Sequence, residues 1–280
     1  MPELPEVETM RRGVLPVVGG RIEEVIQPPC DCQPIGIEPK WPQFRQQARG
    51  RTISAVERIG KRVALKLEDE QTMIFEPRMT GLVLLADPPS LNYLRLELRL
   101  SGVSAKRLLY WDRRGLGNVR LLSPQQLEEA LGPHQLGPDA LQISEEQLRL
   151  HLKSSRREIK PALLDQKAVA GVGNIYACEI LHRARVHPQK RCDRMARSQW
   201  ERIHRAMQEI LREAISHEGS TLSDGTYRNA LNDPGGYQNH HRVYDRQGET
   251  CRSCEEGEIQ RIVQNQRATF FCSICQTKKP

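Results

Sequence analysis

The clearest hydrophobic pattern in the chain is a strict alternation over residues 93–100, in which leucines take every second position and Arg or Glu the positions between them. A period of two places these leucines on one face of a β-strand. Shorter patterns of the same kind predict further strands at residues 21–26, 52–59, 62–67, 73–75, 81–85, 106–111 and 118–122. Many short strands separated by Gly, Pro and Asp favour a β-sandwich or a barrel. The proline-rich residues 28–41 are expected to form a surface excursion.

From about residue 123 the pattern changes to helical spacing. Ser123 is followed by Pro at the first helical position and by Gln126, which together predict a capped helix start, and a Gly-Pro pair then ends the helix. A second helix is predicted to begin at Ser144. A third is predicted at Ser198, where a capping box precedes apolar residues that recur at intervals of three and four. The sequence therefore predicts a boundary near residues 123–140 between a mostly β part and a helical part.

Lys and Arg number 42 against 35 Asp and Glu, which gives the 280-residue chain a net charge of +7. Such an excess is typical of proteins that bind polyanions, of which nucleic acid is the commonest, although many soluble proteins are as basic. No apolar run approaches the roughly 20 residues that span a bilayer, and the start of the chain lacks a basic and then apolar signal segment. We therefore expect a soluble, intracellular protein with no membrane partner.

Four of the eight cysteines, Cys251, Cys254, Cys272 and Cys275, form two C-x2-C pairs separated by 17 residues. This spacing is typical of a four-cysteine zinc site in a reducing compartment. Apolar residues between the pairs surround an Asn-Gln turn, which predicts a β-hairpin with one structural Zn2+ at its base. Four thiolates leave no position open for water, so the metal would organise the hairpin only. Arg267, beside the turn, is predicted to bind phosphate or to be a solvated charge.

Residues 171–176 carry two glycines followed by Asn174 and an apolar helical segment. Asn174 is predicted to cap this helix, whose free N–H groups would then face a phosphate. No strand precedes the glycines and no third glycine follows at the required spacing, so a dinucleotide-binding fold is disfavoured. Residues 183–205 add eight Lys or Arg against two acids, which is consistent with a surface along a DNA backbone and equally with a solvated helix face.

The first eight residues combine two prolines with three glutamates. If Met1 is removed, which a small second residue favours, Pro2 becomes an N-terminal secondary amine with Glu3 beside it and Glu6 one helical turn further on. An α-amino group has a pKa of roughly 7.7–8.0, so that a usable fraction is neutral and can attack an electrophilic carbon such as a sugar C1′. Glu3 could protonate the leaving group. The alternative is that these residues only begin a helix.

Several short segments together resemble the formamidopyrimidine-DNA glycosylase family. They follow the family's order along the chain, and they are residues 1–9, Lys61, 78–81, 159–161, 171–179 and 266–270. The resemblance implies an α+β multidomain fold, with an N-terminal β-sandwich flanked by helices, a helix–two-turn–helix domain and a C-terminal zinc β-hairpin. The expected parts are a catalytic sandwich at 1–133, a DNA-binding helical domain at 134–222, a lesion-recognition loop and linker at 223–248, and the zinc hairpin at 249–280.

The resemblance also implies a chemical role for individual residues. Pro2 would be the nucleophile that displaces an oxidised purine from its sugar, Glu3 the acid, and Glu6 a residue that orders their pocket. Lys61 would act near the sugar-phosphate during β-elimination, and Arg267 during δ-elimination.

Other residues that match the family's motifs are expected to contact damaged double-stranded DNA. Lys160 and Asn174 match positions that grip phosphates. Met79 matches the side chain pushed into the gap that an extruded base leaves. Arg114 would replace the lost base, and Leu116 stands where the family has an aromatic wedge. Extrusion is needed because the reacting atoms of a stacked base cannot be reached, and inserted side chains help offset its cost.

Three segments depart from the family pattern. Residues 114–117 are Arg-Gly-Leu-Gly where the family has Arg-Arg-Phe-Gly, so that one arginine is absent and the wedge is aliphatic. Glu76 stands near the place of a usual histidine, and its carboxylate would repel a phosphate. Residues 91–93 replace a usual His-Asp-His segment. The residues for chemistry are complete, whereas those that probe the DNA are altered.

The sequence therefore predicts a bifunctional DNA glycosylase and abasic-site lyase of base excision repair, a monomer of the cytoplasm and nucleoid, acting on 8-oxoguanine and formamidopyrimidines. Two alternatives stay open. An endonuclease VIII-like enzyme would use the same proline and glutamate on oxidised pyrimidines, although residues 219–237 resemble the purine-specific branch better. A catalytically silent DNA-binding relative is disfavoured, because a binding protein has no need of a free N-terminal proline.

Overall fold

The computed structural model describes residues 2–277 of the chain. The chain divides into two compact units, one made of Met1–Gly132 and Ile215–Gln238 and the other of Pro133–Ala214 and Asn239–Pro280. Met1, whose removal is predicted, lies outside the described residues. The four domain ranges expected from the sequence stay a prediction.

The first unit is a sandwich of two β-sheets with helices packed against it. Its elements are α1 (Leu4–Gly13), β1 (Arg21–Ile26), β2 (Gly36–Glu38), α2 (Trp41–Ala48), β3 (Ile53–Ile59), β4 (Arg62–Leu67), β5 (Thr72–Glu76), β6 (Gly81–Leu84), β7 (Leu94–Ser101), β8 (Arg107–Asp112), β9 (Asn118–Leu122) and α3 (Pro124–Leu131). One sheet has the strand order β1-β7-β8-β6, and the other has the order β2-β9-β5-β4-β3. Neighbouring strands are antiparallel except for β2 and β9.

The apolar core of this unit contains side chains of both sheets and of α1. Val7 and Met10 of α1 and Leu96 and Leu98 of β7 are fully buried in one cluster. All the strands predicted from the hydrophobic pattern are present with ends within one residue, so the predicted sandwich is confirmed. Burial of these apolar faces is the main source of stability for such a sandwich.

The prediction for residues 28–41 was incomplete, because this excursion contains β2 and leads directly into α2. β2 is only three residues long and pairs in parallel with β9, with Gly36 opposite Asn118. In α2 only Phe44 and Ala48 are buried, which is too few positions to show a helical period.

The second unit is helical and ends in a β-hairpin. Its elements are α4 (Glu145–Leu152), α5 (Ile159–Leu163), α6 (Asn174–Arg183), all but the last two residues of α7 (Arg197–Ser216), β10 (Ile259–Gln264) and β11 (Arg267–Cys272). The hairpin turns at Asn265 and Gln266, whose φ angles of 46° and 61° are typical of a two-residue turn. The predicted α+β fold is confirmed. Within residues 2–277 no helix is both long and apolar enough to cross a membrane.

The observed helix starts show where a local sequence pattern is enough to predict an N-cap. The side chains of Ser123 and Ser144 accept hydrogen bonds from the backbone three residues on, as predicted. The predicted cap at Ser198 was wrong, because α7 begins one residue before it. The Gln199 side chain instead accepts the backbone N–H of Ala196 at 3.0 Å. A glutamine in this position makes the reach-back contact of a capping box, so the helix starts earlier.

Candidate active site

The start of α1 is buried together with its acidic side chains. Pro2 is buried, and Glu3 and Glu6 are each 1% exposed. The backbone N–H of Glu3 donates to Oε2 of Glu6 at 2.8 Å, within a capping box in which Glu3 is the N-cap. The carboxylate of Glu6 also lies in the first helical turn, where the helix dipole favours negative charge. The structure thus places these three residues side by side, and their chemical roles stay predictions.

Glu6 also holds the segment that follows α7. Its Oε1 accepts the backbone N–H of Ser220 at 2.8 Å. Gly219 has a φ of +79°, and a Cβ there would lie 2.8 Å from the same oxygen, so the close approach requires glycine. The hydroxyl of Tyr227 donates to the Glu6 carbonyl at 3.3 Å. Burial and then the charge of Glu6 raise the Tyr227 pKa well above its usual value, so this hydroxyl stays a donor. One carboxylate therefore joins the start of α1 to the base of a loop.

Lys61 lies in the tight turn between β3 and β4 and is partly buried. Two hydrogen bonds connect this turn to α1. Nε of Arg58 donates to the Glu8 carboxylate at 3.2 Å, and Nη1 of Arg58 donates to the Gly60 carbonyl at 3.0 Å. The Arg58 and Glu8 side chains are 8% and 11% exposed, so this ion pair is largely screened from water. We did not predict the pair, because its members lie 50 residues apart and Arg58 belongs to no recognisable motif.

The Glu8 carboxylate is surrounded by guanidinium groups. Burial raises the pKa of Glu8, but hydrogen bonds from Arg11 and Arg12 and the charge of Arg58 outweigh this and lower it. Glu8 therefore remains ionised at neutral pH, and its stabilising contribution is lost only as the pH falls through this lowered pKa. The connection between α1 and the Lys61 turn should persist through the physiological range.

A buried aspartate fixes the loop after β8 and the turn before β6. Asp112 is fully buried, and its carboxylate accepts the backbone N–H of Gly117 at 2.8 Å and that of Arg114 at 3.2 Å. The hydroxyl of Thr80 donates to the same carboxylate and accepts the Arg114 N–H at 3.0 Å. Because carboxylate hydrogen bonds to buried donors are strong, the two loops are held as one unit.

These two loops carry the residues expected to probe DNA. Met79 is 36% exposed and Leu116 is 44% exposed, and Arg114 is exposed as well. Gly115 has a φ of +64°, and a Cβ on it would lie 2.1 Å from the carbonyl oxygen of Gln33. A side chain at position 115, such as the second arginine of the family pattern, would therefore clash with Gln33, so this loop conformation requires glycine there.

The carboxylate of Glu76 does not present an unbalanced charge. Its Oε1 lies 3.1 Å from Nη2 of Arg62 and 3.1 Å from Nε of Arg78, and the Glu76 side chain is 13% exposed. The repulsion of phosphate expected from the sequence is therefore offset by two cations on the same surface.

The four cysteines of the C-x2-C pairs converge at the base of the hairpin. Their Sγ atoms all lie within 4.8 Å of one another. Sγ of Cys251 is 3.8 Å from that of Cys275, and Sγ of Cys254 is 3.6 Å from that of Cys272. A tetrahedral ion with metal–sulfur bonds of about 2.3 Å requires sulfur separations of about 3.8 Å. The donor set and its spacing therefore fit a four-coordinate, soft-ligand metal ion.

Backbone hydrogen bonds favour a thiolate at Cys254, whereas burial and the neighbouring thiols raise the pKa values of Cys272 and Cys275. Backbone N–H groups of Glu256 and Gly257 lower the pKa of the Cys254 thiol to about 7. Nε2 of His182 lies 3.4 Å from Sγ of Cys251. Burial lowers the His182 pKa, so the ring is neutral, and the sulfur is the natural acceptor for an Nε2–H donor. His182 was not predicted, because it stands far from the cysteines in the chain.

Arg267 is the first residue of β11 and is exposed. The two residues after it are held in place by hydrogen bonds from Lys160. Lys160 is fully buried, and its ammonium donates to Oδ1 of Asn174 at 2.6 Å, to the Ala268 carbonyl at 2.9 Å and to the Thr269 hydroxyl at 2.7 Å. An ammonium has three N–H donors, so these acceptors match its capacity. The phosphate contact expected of Lys160 stays a prediction, whereas its position holds β11 against α6.

The predicted capping role of Asn174 was wrong. Gly173 is the N-cap of α6, and Asn174 is the first helical residue. Its side-chain amide donates to the Ala268 carbonyl at 3.0 Å and its oxygen accepts from Lys160. A contact with a hairpin almost a hundred residues further on cannot be inferred from a local cap pattern.

The basic segment 183–205 is partly neutralised. Arg183 pairs with Glu209 at 2.9 Å, and Arg191 pairs with Asp193 at 2.6 Å. Pairs on an exposed surface contribute little stability, but they reduce the local positive charge. This segment therefore gives weaker support for a DNA-binding surface than its count of cations suggests.

Two family models match the chain. Residues 1–119 match the formamidopyrimidine-DNA glycosylase N-terminal domain, and residues 136–226 match the formamidopyrimidine-DNA glycosylase H2TH domain. Together these matches cover the sandwich and most of the helical region.

Relatives are similar over the whole length of the chain. The formamidopyrimidine-DNA glycosylase of Chloroflexus aurantiacus is 37% identical, with 99% of this chain and 98% of that protein covered. The enzyme of that name from Bacillus subtilis is 33% identical, with complete coverage of both. The crystal structure of MutM (Fpg) from Thermus thermophilus has a TM-score of 0.86 at 36% identity, again with complete coverage of both chains. A Lactococcus lactis Fpg mutant, solved in complex with DNA containing Fapy-dG, has a TM-score of 0.86 at 34% identity and covers 99% of this chain. This chain therefore belongs to the formamidopyrimidine-DNA glycosylase family.

Proposed function

We propose that this protein is a DNA glycosylase of base excision repair that excises oxidised purines from double-stranded DNA and then cleaves the abasic site. The observation that carries the proposal is the cluster of Pro2, Glu3 and Glu6, buried at the start of α1. Burying two carboxyl groups costs free energy, and a simple helix start does not require it. The family relatives are named for formamidopyrimidine, and one similar structure contains Fapy-dG, which supports a purine lesion.

The proposed reaction uses the secondary amine that Pro2 exposes once Met1 is removed. The lone pair of this nitrogen attacks C1′ of the damaged nucleotide, and the bond from C1′ to the base breaks. Glu3 supplies the proton that the ring oxygen or the departing base requires. As the sugar ring opens, Pro2 and C1′ form an iminium ion, which cannot lose a proton from nitrogen and therefore remains an electron sink. Loss of a proton from C2′ then expels the 3′ phosphate, and a second elimination expels the 5′ phosphate.

Three further residues support these steps. Glu6 orders the pocket through its bonds to the backbone of Glu3 and Ser220. Lys61 acts near the sugar-phosphate during the first elimination. Its turn is fixed to α1 through Arg58 and Glu8. Arg267, exposed on the hairpin, acts on phosphate during the second elimination.

Extrusion of the damaged base is assigned to the two loops fixed by Asp112. Met79 and Leu116 would occupy the space that the base leaves, and Arg114 would face its former partner. Removing a base from the stack costs a few kcal/mol, which apolar contacts of exposed side chains can offset. Lys160 and Asn174 support phosphate contacts through the backbone that they hold.

The four clustered cysteines are proposed to hold one Zn2+. A closed four-thiolate site supplies structure and no open position for chemistry. Purified protein should contain one zinc per chain. Cys251→Ser should lose it, and its affinity for damaged and undamaged duplexes should fall by a similar factor, since phosphate contacts carry no sequence information. Metal analysis and duplex titration measure both quantities. Loss of cleavage at a single lesion type, with duplex affinity intact, would give the hairpin a recognition function instead.

The function is tested by incubating the protein with matched duplexes. These contain 8-oxoguanine or a formamidopyrimidine, an oxidised pyrimidine such as thymine glycol, an abasic site, or no lesion. We expect cleavage at purine lesions, with phosphates left on both ends of the gap, and no cleavage of the intact duplex. Preference for thymine glycol would indicate an endonuclease VIII-like enzyme. Binding without cleavage of any duplex, the abasic one included, would leave a silent DNA-binding relative.

A further inference from the structure

Two cysteines outside the metal cluster form a separate thiol pair in the excursion before β2. Cys30 and Cys32 are separated only by Asp31, and Asp31 and Cys32 lie in a bend. The Cys30 thiol donates to the Asn92 carbonyl at 3.0 Å and accepts a hydrogen bond from Nη1 of Arg95 at 2.7 Å. Cys32 is exposed and follows Cys30 by two residues, so the chain keeps their Cα atoms within about 7 Å of each other. The two sulfurs are therefore close enough for a modest backbone adjustment to join them.

Arg95 places a buried positive charge beside this thiol pair. The residue is 3% exposed, and its Nη2 has no hydrogen-bond partner among the described residues. A guanidinium 2.7 Å from a sulfur repels a metal cation that would bind there. The pair thus differs from the four-cysteine cluster, which has more sulfurs and no guanidinium contact of this kind among its described hydrogen bonds. Oxidation is favoured here over metal binding.

A cavity gives a small oxidant access to Cys30. It has a volume of about 300 Å³, and its lining includes Cys30, Arg95, Pro28, Pro34 and Ile35. The prolines restrict the backbone around the pair, so that the cavity does not depend on flexible side chains. A hydroperoxide fits this volume easily, whereas the sulfurs of Cys178 and Cys192 are buried.

We propose that Cys30 and Cys32 form a peroxide-sensitive dithiol whose reversible disulfide alters the loop that carries Leu116. The Cys30 sulfur attacks one oxygen of a hydroperoxide, the O–O bond breaks, and the alcohol or water leaves with the thiol proton. The resulting Cys30 sulfenic acid is attacked by the Cys32 sulfur, and its hydroxyl leaves with the Cys32 proton as water. The two sulfurs together lose two electrons, which reduce the peroxide. A thiol reductant reverses the change.

The disulfide would act on the loop through two contacts. Gln33, the residue after Cys32, presents its carbonyl to Gly115 at a distance that leaves no room for a Cβ. Nε of Arg95 donates to the Asp112 carbonyl at 2.8 Å, and Asp112 holds the loop backbone. A disulfide bond to Cys32 would draw the Cys30 sulfur away from Asn92 or Arg95. This movement would shift the contact of Gln33 with Gly115 and the hydrogen bond of Arg95 to Asp112. The effect on lesion excision rests on the function proposed above.

The modification is tested by mass spectrometry. Reduced protein is treated with hydrogen peroxide, remaining thiols are alkylated, and the tryptic peptide of residues 22–40 is analysed, because it contains both cysteines and no other. We expect this peptide to be unalkylated and to lack two hydrogens, and reductant should restore it. In Cys32→Ser a sulfenic acid should be trapped on Cys30, whereas Cys30→Ser should react much more slowly. Two alkylated cysteines after a peroxide dose that oxidises free glutathione would overturn the proposal.

The consequence is tested with the same oxidised sample, with Cys32→Ser treated identically and with zinc measured in both. We expect the disulfide to slow excision from a lesion duplex by about fivefold or more while leaving cleavage of a pre-formed abasic site unchanged, since only the former needs extrusion. A disulfide that changes neither excision nor duplex affinity would overturn the link to the Leu116 loop. If the reduced protein cuts no lesion duplex, the proposed function fails. The peptide mass then still tests whether the disulfide forms, and the duplex affinity of the oxidised protein still tests its effect on the loop.

Discussion

The start of α1 and the loops that carry Met79 and Leu116 belong to the same compact unit but are built in opposite ways. At the start of α1 the functional groups are buried, and both oxygens of Glu6 accept backbone N–H groups. In the loops only the support is buried. Asp112 fixes the backbone from inside, and the apolar side chains face solvent.

This difference matches where the chain keeps the family pattern and where it departs from it. Proton transfer and nucleophilic attack require atoms placed within fractions of an ångström, so substitutions beside Pro2 are poorly tolerated. An inserted side chain needs only bulk and apolar surface at a defined position, and Asp112 fixes the backbone of the loop that carries it. In the proposed function, an aliphatic Leu116 and a glycine at 115 would therefore replace the aromatic residue and the arginine of the family pattern without disturbing the chemistry.

The largest effect is expected from Pro2→Gly. Glycine leaves a primary amine at the same place but removes the secondary amine and its persistent iminium ion, so excision should slow by about 100-fold or more. Binding to a lesion duplex should change little, because the phosphate contacts are untouched. Single-turnover cleavage and duplex titration measure the two quantities. Unchanged turnover would remove Pro2 from the mechanism.

A smaller loss is expected from Glu6→Gln. An amide has one acceptor oxygen, so its NH2 group would face a backbone N–H of either Glu3 or Ser220, and a buried donor would lose its partner. We expect excision to slow by about tenfold and the melting temperature to fall. The exposed Glu23→Gln serves as the control. Equal behaviour of the two variants would show that Glu6 does not organise the pocket.

Leu116→Ala should impair the function proposed for the exposed loops and leave the chemistry at the start of α1 intact. Removing the wedge should slow excision of a stacked lesion by about threefold to tenfold, a fraction of the cost of unstacking, and should spare cleavage of an abasic site. Leu91→Ala is a matched control, since Leu91 is the more exposed of the two at 71%. Equal losses on both substrates would place Leu116 in the chemistry and break the division between the regions.

Gly115→Ala should lower the stability of the fold. Gly115 and Gly225 have similar φ angles of +64° and +60°, but only at Gly115 would a Cβ meet a neighbour, 2.1 Å from the Gln33 carbonyl. Both alanine variants lose about 1 kcal/mol to backbone strain, and Gly115→Ala should lose about 1–3 kcal/mol more. Denaturant unfolding of both variants measures the difference. Equal stabilities would mean that the Gln33 contact does not constrain the loop.

Local patterns predicted the strands and the helices capped by Ser123 and Ser144, because burial alternation and capping act over a few residues. They failed where distant contacts decide. Asn174 bonds to Ala268 and so does not cap α6, and β2 exists only because β9 offers it an edge. Within the candidate site, motif resemblance singled out Pro2, Glu3 and Lys61, whose roles stay predictions. It did not reveal Arg58, His182 or the Gln33 contact, since each depends on residues brought together only by the fold.

The central claim is that the nitrogen of Pro2 forms the covalent bond to the damaged sugar. We would incubate the protein with a duplex containing 8-oxoguanine opposite cytosine, reduce the mixture with borohydride, and identify the modified peptide by mass spectrometry. The account predicts an adduct on Pro2 at a chain start that lacks Met1, and none with Pro2 masked by a retained methionine. An adduct on Lys61 or another lysine, formed at an undiminished rate in Pro2→Gly, would contradict it.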